Sequence, residues 1–280
     1  MNPIRAVQRT LGSGVLGALA LLVVVSAARS AAIPDGLLLR NSTTGQLIAL
    51  SHRGLNAASW DQTRQPFALT PPAASQPLPG DFDDDGDTDL IVRSRDTGEA
   101  FMAMNDGAGG FASTKIVTGL RSVTGASWKA FVGDFGGDAG DDVLLRSDGD
   151  GSVVVAINAG GGGQFSTPLG QQVTGVRGPA SWQPLPGDFD DDGDDDLLLR
   201  RRDTGEAVLA RNDGSGRLGA PTAVVGLELG TGSGWTALVA DLGGKDSDDV
   251  ILRETATGVV VTAFNLGDGR QFLPAHGEQL

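Results

Sequence analysis

The chain has no cysteine and no tyrosine, two histidines (His52 and His276) and only 5% aromatic residues. Without cysteine there is no disulfide framework and no lipid-modified cysteine behind an export signal, so any staple holding an exported fold together has to be of another kind. Two histidines, no thiol and no Gly-x-Ser-x-Gly elbow leave little from which to build a nucleophile and its base. The expectation is a protein that is not an enzyme. Positive charge is scarce as well: 21 lysines and arginines face 35 aspartates and glutamates, a net −14, which argues against nucleic acid as a partner. Helical periodicity is missing after residue 32.

Much of the acid is gathered in two nine-residue stretches, Asp81-Phe-Asp-Asp-Asp-Gly-Asp-Thr-Asp89 and Asp188-Phe-Asp-Asp-Asp-Gly-Asp-Asp-Asp196. Positions 1, 3, 5 and 9 are Asp81, Asp83, Asp85 and Asp89 in the first and Asp188, Asp190, Asp192 and Asp196 in the second. Gly86 and Gly193 at position 6 permit the sharp turn that brings alternate side chains to one centre. A hard cation such as Ca2+ takes roughly six to eight oxygens at about 2.3–2.6 Å, which is what such a loop offers. Position 12 is Val92 or Leu199, where an EF-hand needs a bidentate glutamate; an EF-hand is excluded, and the loop runs into a strand. An acidic, solvated turn is the competing reading.

The loops belong to a larger repeat. Asp81, Asp134, Asp188 and Asp241 are spaced 53, 54 and 53 residues apart, and Arg40, Arg93, Arg146, Arg200 and Arg253 close five equivalent apolar runs. Five residues after each arginine comes Gly45, Gly98, Gly151, Gly205 or Gly258, suited to a hairpin turn. Twelve residues after it comes Asn105, Asn158, Asn212 or Asn265, each opening an Asn-x-Gly-x-Gly stretch that suits a second hairpin; His52 takes that slot in the first copy, as a turn substitute rather than a ligand. Each unit reads as four short strands, as in 181–187, 196–200, 206–210 and 221–226. Four strands in about 50 residues, repeated, predict an all-β fold of propeller blades. The units fall at about 33–74, 75–127, 128–181, 182–234 and 235–280, the first lacking its front part. A propeller of about five four-stranded blades with an incomplete first one is expected; an open array completed by dimerisation and four blades with an extra segment are the alternatives. Trp128, Trp182 and Trp235, and Phe111, Phe165 and Phe272, read as packing between blades, with a sugar-stacking platform as the alternative.

Alternate units resemble each other most. Gln76-Pro-Leu-Pro-Gly-Asp-Phe-Asp-Asp-Asp-Gly86 returns 107 residues later at 183–193, and Trp128-Lys-Ala-Phe-Val-Gly-Asp-Phe-Gly-Gly137 is paralleled at 235–244. The intervening loops are depleted. Asp134, Asp138 and Asp142 keep positions 1, 5 and 9, but Gly136 sits at position 3, so a weak site is expected there. The loop from Asp241 has Gly243 at position 3 and Lys245 at position 5, whose ammonium can take the place of an ion. No metal is expected at that loop.

Residues 1–32 carry Arg5 and Arg9, an uncharged run from Leu11 to about Ala27, and a small-residue ending at Ser30-Ala31-Ala32. This reads as a secretory signal, with an uncleaved anchor as the alternative. Its removal takes three arginines and no acids, moving the net charge from −14 to −17. A secreted, periplasmic or cell-surface location follows, where calcium is plentiful enough to fill weak sites. No membrane span is expected after cleavage.

The run Gly-Asp-Phe-Asp-x-Asp-Gly-x-x-Asp-Leu, followed by Asn-x-Gly-x-Gly-x-Phe, resembles the FG-GAP and VCBS repeats of integrin α-subunit heads and bacterial secreted proteins, over about residues 35–280. The resemblance implies β-propeller blades with Ca2+ in the loop between two strands, held by positions 1, 3, 5 and 9 and the carbonyl of position 7. That adds the carbonyls of Asp87 and Asp194 to the two carboxylate sets. The literal Gly-Ala-Pro triplet is missing, so the VCBS-like form fits better. The resemblance implies a calcium-binding adhesion or binding module for a glycan or an extracellular protein. A structural role in the envelope and, last, a calcium-dependent polysaccharide-active enzyme are the alternatives.

Overall fold

The computed structural model describes residues 19–21, 36–41, 47–52, 60–63, 75–105, 111–136, 140–166, 169–171, 181–243, 247–274 and 278–279, with side chains from residue 75 onward. Strands dominate. β1 (Leu19–Leu21), β2 (Gly36–Asn41), β3 (Leu47–His52) and β4 (Trp60–Thr63) make the first sheet, and β5 (Ser75–Gly80), β6 (Asp89–Ser94), β7 (Ala100–Asn105) and β8 (Phe111–Val117) the second. The third holds β9 (Trp128–Gly133), β10 (Asp142–Ser147), β11 (Val153–Ala156) and β12 (Leu169–Gln171); the fourth holds β13 (Trp182–Gly187), β14 (Asp196–Arg201), β15 (Ala207–Ala210) and β16 (Thr222–Val224). The fifth contains β17 (Trp235–Ala240), β18 (Asp249–Glu254), β19 (Val259–Asn265) and β20 (Phe272–Pro274), with β21 (Glu278–Gln279) also on β19. Neighbours in each sheet are antiparallel and follow chain order, the arrangement short hairpins impose. The second to fifth sheets each take all their strands from one continuous stretch of the chain.

The first sheet departs from expectation. An incomplete first unit predicts three strands, but Leu19–Leu21, inside the segment read as an export signal, pairs with Leu39–Asn41. In the other units the equivalent edge is taken by the unit's own first strand, as β5 takes that of β6. An open edge demands hydrogen-bond partners, and the apolar Leu-Ala-Leu segment supplies them.

Among the described residues, three apolar cores join the second to fifth sheets. Leu78, Phe82, Ile91 and Met102 of the second unit meet Val143, Leu145, Ala156 and Phe165 of the third. Phe135, Leu144 and Val153 meet Leu197, Leu199 and Ala210, and Leu185, Phe189, Leu198 and Leu209 meet Val250, Leu252 and Phe272. Strands buried on both faces read as unbroken apolar runs rather than alternation, which is why Asp142–Ser147 is buried throughout. Trp128, Trp182 and Trp235 pack against these cores, as the packing reading expects. Phe165 and Phe272 meet the loop residues Phe82 and Phe189 edge to face, ring centroids 6.1 Å apart. On the far face of the fifth sheet, Leu238 and Leu242 occupy the places of the packed Phe131 and Phe135 but are 51% and 43% exposed. Among the described residues no helix is long and apolar enough to cross a membrane.

Candidate metal centres

The two acid-rich loops connect the first and second strands of their sheets. Phe82 and Phe189 at position 2 are fully buried and tether each loop to the core. The leading aspartate then winds the loop about itself. Asp188 Oδ1 accepts from the N–H groups of Asp191 (2.8 Å) and Asp192 (3.3 Å), and Oδ2 from that of Gly193 (3.0 Å). Asp81 Oδ2 accepts from Gly86 N–H at 3.0 Å. The winding forces the residue at position 4 into the left-handed region, with φ of 60° at Asp84 and 63° at Asp191, a conformation aspartate tolerates better than most side chains.

Carboxylate oxygens of Asp81, Asp83 and Asp89 lie within 4.8 Å of one another, as do those of Asp188, Asp190 and Asp192. Both acid-rich loops thus bring three of the four expected carboxylates together; Asp85 in the first and Asp196 in the second stand outside the triad. Buried oxygens at these positions lack hydrogen-bond partners: Asp81 Oδ1, Asp83 Oδ1, Asp190 Oδ1 and Asp196 Oδ2. A buried acceptor without a donor is costly, and a cation is the group that would satisfy several at once. Burial, with help from neighbouring carboxylates, pushes Asp89 and Asp196 up to about 7. Asp81, Asp83, Asp190 and Asp194 are also raised, first by burial and then by adjacent charge. These acidic clusters have the donor chemistry to hold a metal ion.

Position 9 has a second employment. In every unit with such a loop its Oδ1 accepts the N–H of the turn asparagine: Asp89 from Asn105 (2.7 Å), Asp142 from Asn158 (2.6 Å), Asp196 from Asn212 (2.8 Å) and Asp249 from Asn265 (2.7 Å). Oδ2 of Asp142 and of Asp249 also accepts, from Phe135 N–H at 2.9 Å and Leu242 N–H at 3.0 Å. Asp89 Oδ2 has a longer bond of 3.3 Å from Phe82 N–H. Protein donors thus engage both oxygens at Asp142 and Asp249, and Asp196 keeps one oxygen open. Asp138 and Lys245 lie outside the described residues.

Adjacent loops are latched to one another through position 8, which the sequence reading passed over. Asp81, Asp134 and Asp188 donate their N–H to Oδ2 of Asp141 (2.8 Å), Asp195 (3.1 Å) and Asp248 (3.0 Å) in the next unit. The N–H of Asp141 returns a bond to Asp81 O at 2.7 Å, and that of Asp248 to Asp188 O at 2.7 Å. The turn asparagines close the same junctions: Nδ2 of Asn158, Asn212 and Asn265 donates to the carbonyls of Phe82, Phe135 and Phe189 at 2.7, 2.8 and 2.8 Å. A Cβ at Gly80 or Gly187 would sit 2.6 Å from the latch carboxylate, so glycine is required there; Gly133 faces Asp195 in the same way. Thr88 stands in the latch place of the second unit and Ala240 in the glycine place of the fifth.

Residues 81–145 match the FG-GAP-like repeat. The match runs from the loop 81–89 through β6 to β9 and the loop 134–142 into β10, so the repeat is read across a junction. No curated protein sequence matches the chain. Among solved structures, an Agrocybe aegerita lectin described as recognising non-reducing terminal N-acetylglucosamine superposes with a TM-score of 0.57 at 20% identity, over 87% of this chain and 64% of the lectin. A Photorhabdus luminescens Tc holotoxin pore superposes with a TM-score of 0.53 at 19% identity, over 91% of this chain and 12% of that one. The chain therefore spans less than two thirds of either, and the likeness is one of fold.

Three of the repeat-closing arginines, legible in sequence only as a ruler, are structural keys, while Arg253 is exposed. Arg93, Arg146 and Arg200 are wholly buried. Arg200 donates through Nε to Leu227 O (3.1 Å) and through Nη2 to Gly230 O (2.9 Å), and Arg93 Nη2 donates to the carbonyls of Leu120 and Val123. They satisfy the carbonyls of the segment that crosses to the next sheet. Gln76 and Gln183, part of the 107-residue echo, clamp the inner strands, each exchanging two bonds with the backbone of Ala130 or Ala237.

Proposed function

We propose that the chain is an exported, non-catalytic binding module whose sheets are stapled by calcium and whose ligand is a glycan or an extracellular protein. The observation that carries the metal assignment is the set of buried carboxylate oxygens without donors, all in the two loops with aspartate at positions 1, 3, 5 and 9. The proposed ligands are Asp81, Asp83, Asp85 and Asp89 with the carbonyl of Asp87, and Asp188, Asp190, Asp192 and Asp196 with the carbonyl of Asp194. Asp134, Asp138 and Asp142 form at most a weaker third site, since Gly136 leaves position 3 without a carboxylate and Asp142 Oδ2 is held by Phe135 N–H at 2.9 Å, a shorter bond than the one on Asp89 Oδ2. Hard oxygen donors without nitrogen or sulfur favour Ca2+ over transition metals.

The binding role is supported by the fold shared with the lectin and by rigid sheets that carry long connections at their ends. Its non-catalytic character rests on the poverty in histidine, cysteine and tyrosine. The test is capture on a glycan panel, with terminal N-acetylglucosamine structures included, in millimolar Ca2+ and again in EDTA. Calcium-dependent retention of a defined glycan class supports the reading; silence in both buffers transfers it to a protein ligand. Release of product from a polysaccharide panel would overturn the non-catalytic assignment. Calcium itself is tested by melting: about 1–3 kcal/mol of stabilisation per filled site is expected in millimolar Ca2+, and identical midpoints in Ca2+ and EDTA would remove the staple.

A further inference from the structure

The two acid-rich loops have the same aspartates at positions 1, 3, 5 and 9, yet different cations stand beside them. Arg211, just beyond β15, places Nη1 3.0 Å from Asp190 Oδ2, while Asp190 Oδ1 is buried with no donor. Its Nη2 donates to Asp268 O in the next unit at 2.5 Å, which fixes the guanidinium over the loop from two sides. The counterpart of Arg211 in the first loop, 107 residues earlier, is Met104. There the carbonyl corresponding to that of Asp268, Gly161 O, takes its bond from Lys115 Nζ at 3.2 Å; the charge of Lys115 is felt at Asp83, but among the described residues no cation closes an ion pair with Asp83 as Arg211 does with Asp190. The additional acid of the second loop, Asp195, does not offset the difference, because it turns away to the N–H of Asp134.

We infer that Arg211 is a resident counter-ion of the loop 188–196, which makes the two calcium sites unequal: the site at Asp188 is preformed and weak, and that at Asp81 is metal-dependent and tight. This rests on the calcium reading of both loops. Arg211 attracts the carboxylates whether or not a divalent ion is present, but the attraction is larger when the loop carries its full negative charge. It therefore stabilises the empty loop more than the filled one, and affinity falls. The free Oδ1 of Asp190 keeps the loop competent to bind. In function, the first site stays filled over a range of calcium concentration in which the second responds.

Isothermal titration of the full chain with CaCl2 tests this, with Asp83→Asn silencing the first loop so that the second is read alone. In that background Arg211→Met is expected to tighten calcium binding about tenfold, the order a single charge near a divalent ion carries under near-aqueous screening. It also lowers the melting midpoint in EDTA. The converse variant, Met104→Arg in a background with Asp190→Asn, weakens the first site by a similar factor and keeps the inference testable should Arg211→Met fail to fold. Unchanged or weaker binding in Arg211→Met means that the guanidinium serves only to orient Asp190, and overturns the inference while leaving calcium in place. No binding to the unmodified chain overturns the calcium reading, and this inference with it.

Discussion

A single methyl group distinguishes Ala240 from Gly187, its counterpart at a latched junction. Gly187 lies against the latch carboxylate of Asp248 and against Val239, each within 2.7 Å of where a Cβ would be. Gly187→Ala is therefore expected to cost about 1–3 kcal/mol, the range of overpacking in a tight contact, read as a lower midpoint in thermal or urea unfolding. Ala240→Gly, at the corresponding place in the fifth unit, should change little, and equal effects of the two would remove the latch as an explanation. Asn212→Ala makes a second residue-level test. It strips donors from the carbonyls of Phe135 and Asp195 at the heart of a junction, with an expected loss of about 1–3 kcal/mol. The asparagine was legible in the sequence as a turn residue. Its amide's reach across 77 residues to Phe135 was not, because nothing in a linear spacing says which face of the next sheet a turn will meet.

At the level of strand and loop, the sequence carried most of what was built. The four strands read at 181–226 are β13 to β16 within a residue or two, and the hairpin glycines Gly98, Gly151, Gly205 and Gly258 have φ between 68° and 78°. Turn chemistry and apolar runs are local signals, and local signals survive in a one-dimensional reading. Position 9 shows where that reading thins: Asp249 persists in the loop least suited to an ion because its carboxylate fastens Asn265 and Leu242. An acid at that place is evidence of the hairpin before it is evidence of metal.

The loops also predict a pH response. Burial lifts Asp89, Asp142 and Asp196 from the ordinary 3.8 to about 7, so the folded, metal-free protein holds protons that the unfolded chain has released between about pH 4 and pH 7. Stability contributed by these groups is present at the acid end and lost as pH rises through that window. Calcium-stripped protein should melt higher at pH 5 than at pH 7.5. Calcium binding needs the deprotonated carboxylates, so millimolar Ca2+ should narrow or reverse the difference. A metal-free midpoint that climbs from pH 5 to pH 7.5 would contradict the electrostatics of the loops.

For the molecule as a whole, each sheet depends on its neighbours, since every core between described units is shared by two of them. Such arrays gain stability junction by junction. The doubled pattern was visible in the 107-residue echo, but its physical content lies in the junctions. Gln76 and Gln183 clamp every second one, and the latch closes each one between Gly80 and Asp248. Ala240 and Thr88 then decide how such a chain can lengthen over generations. A tandem copy of 128–234 preserves the latch, because Gly187 would face a second Asp141 as Gly80 faces the first. A copy added after the fifth unit would bring Ala240 against a carboxylate. A chain lengthened by such interior steps gains two units at a time, each step bringing one further loop with aspartate at positions 1, 3, 5 and 9.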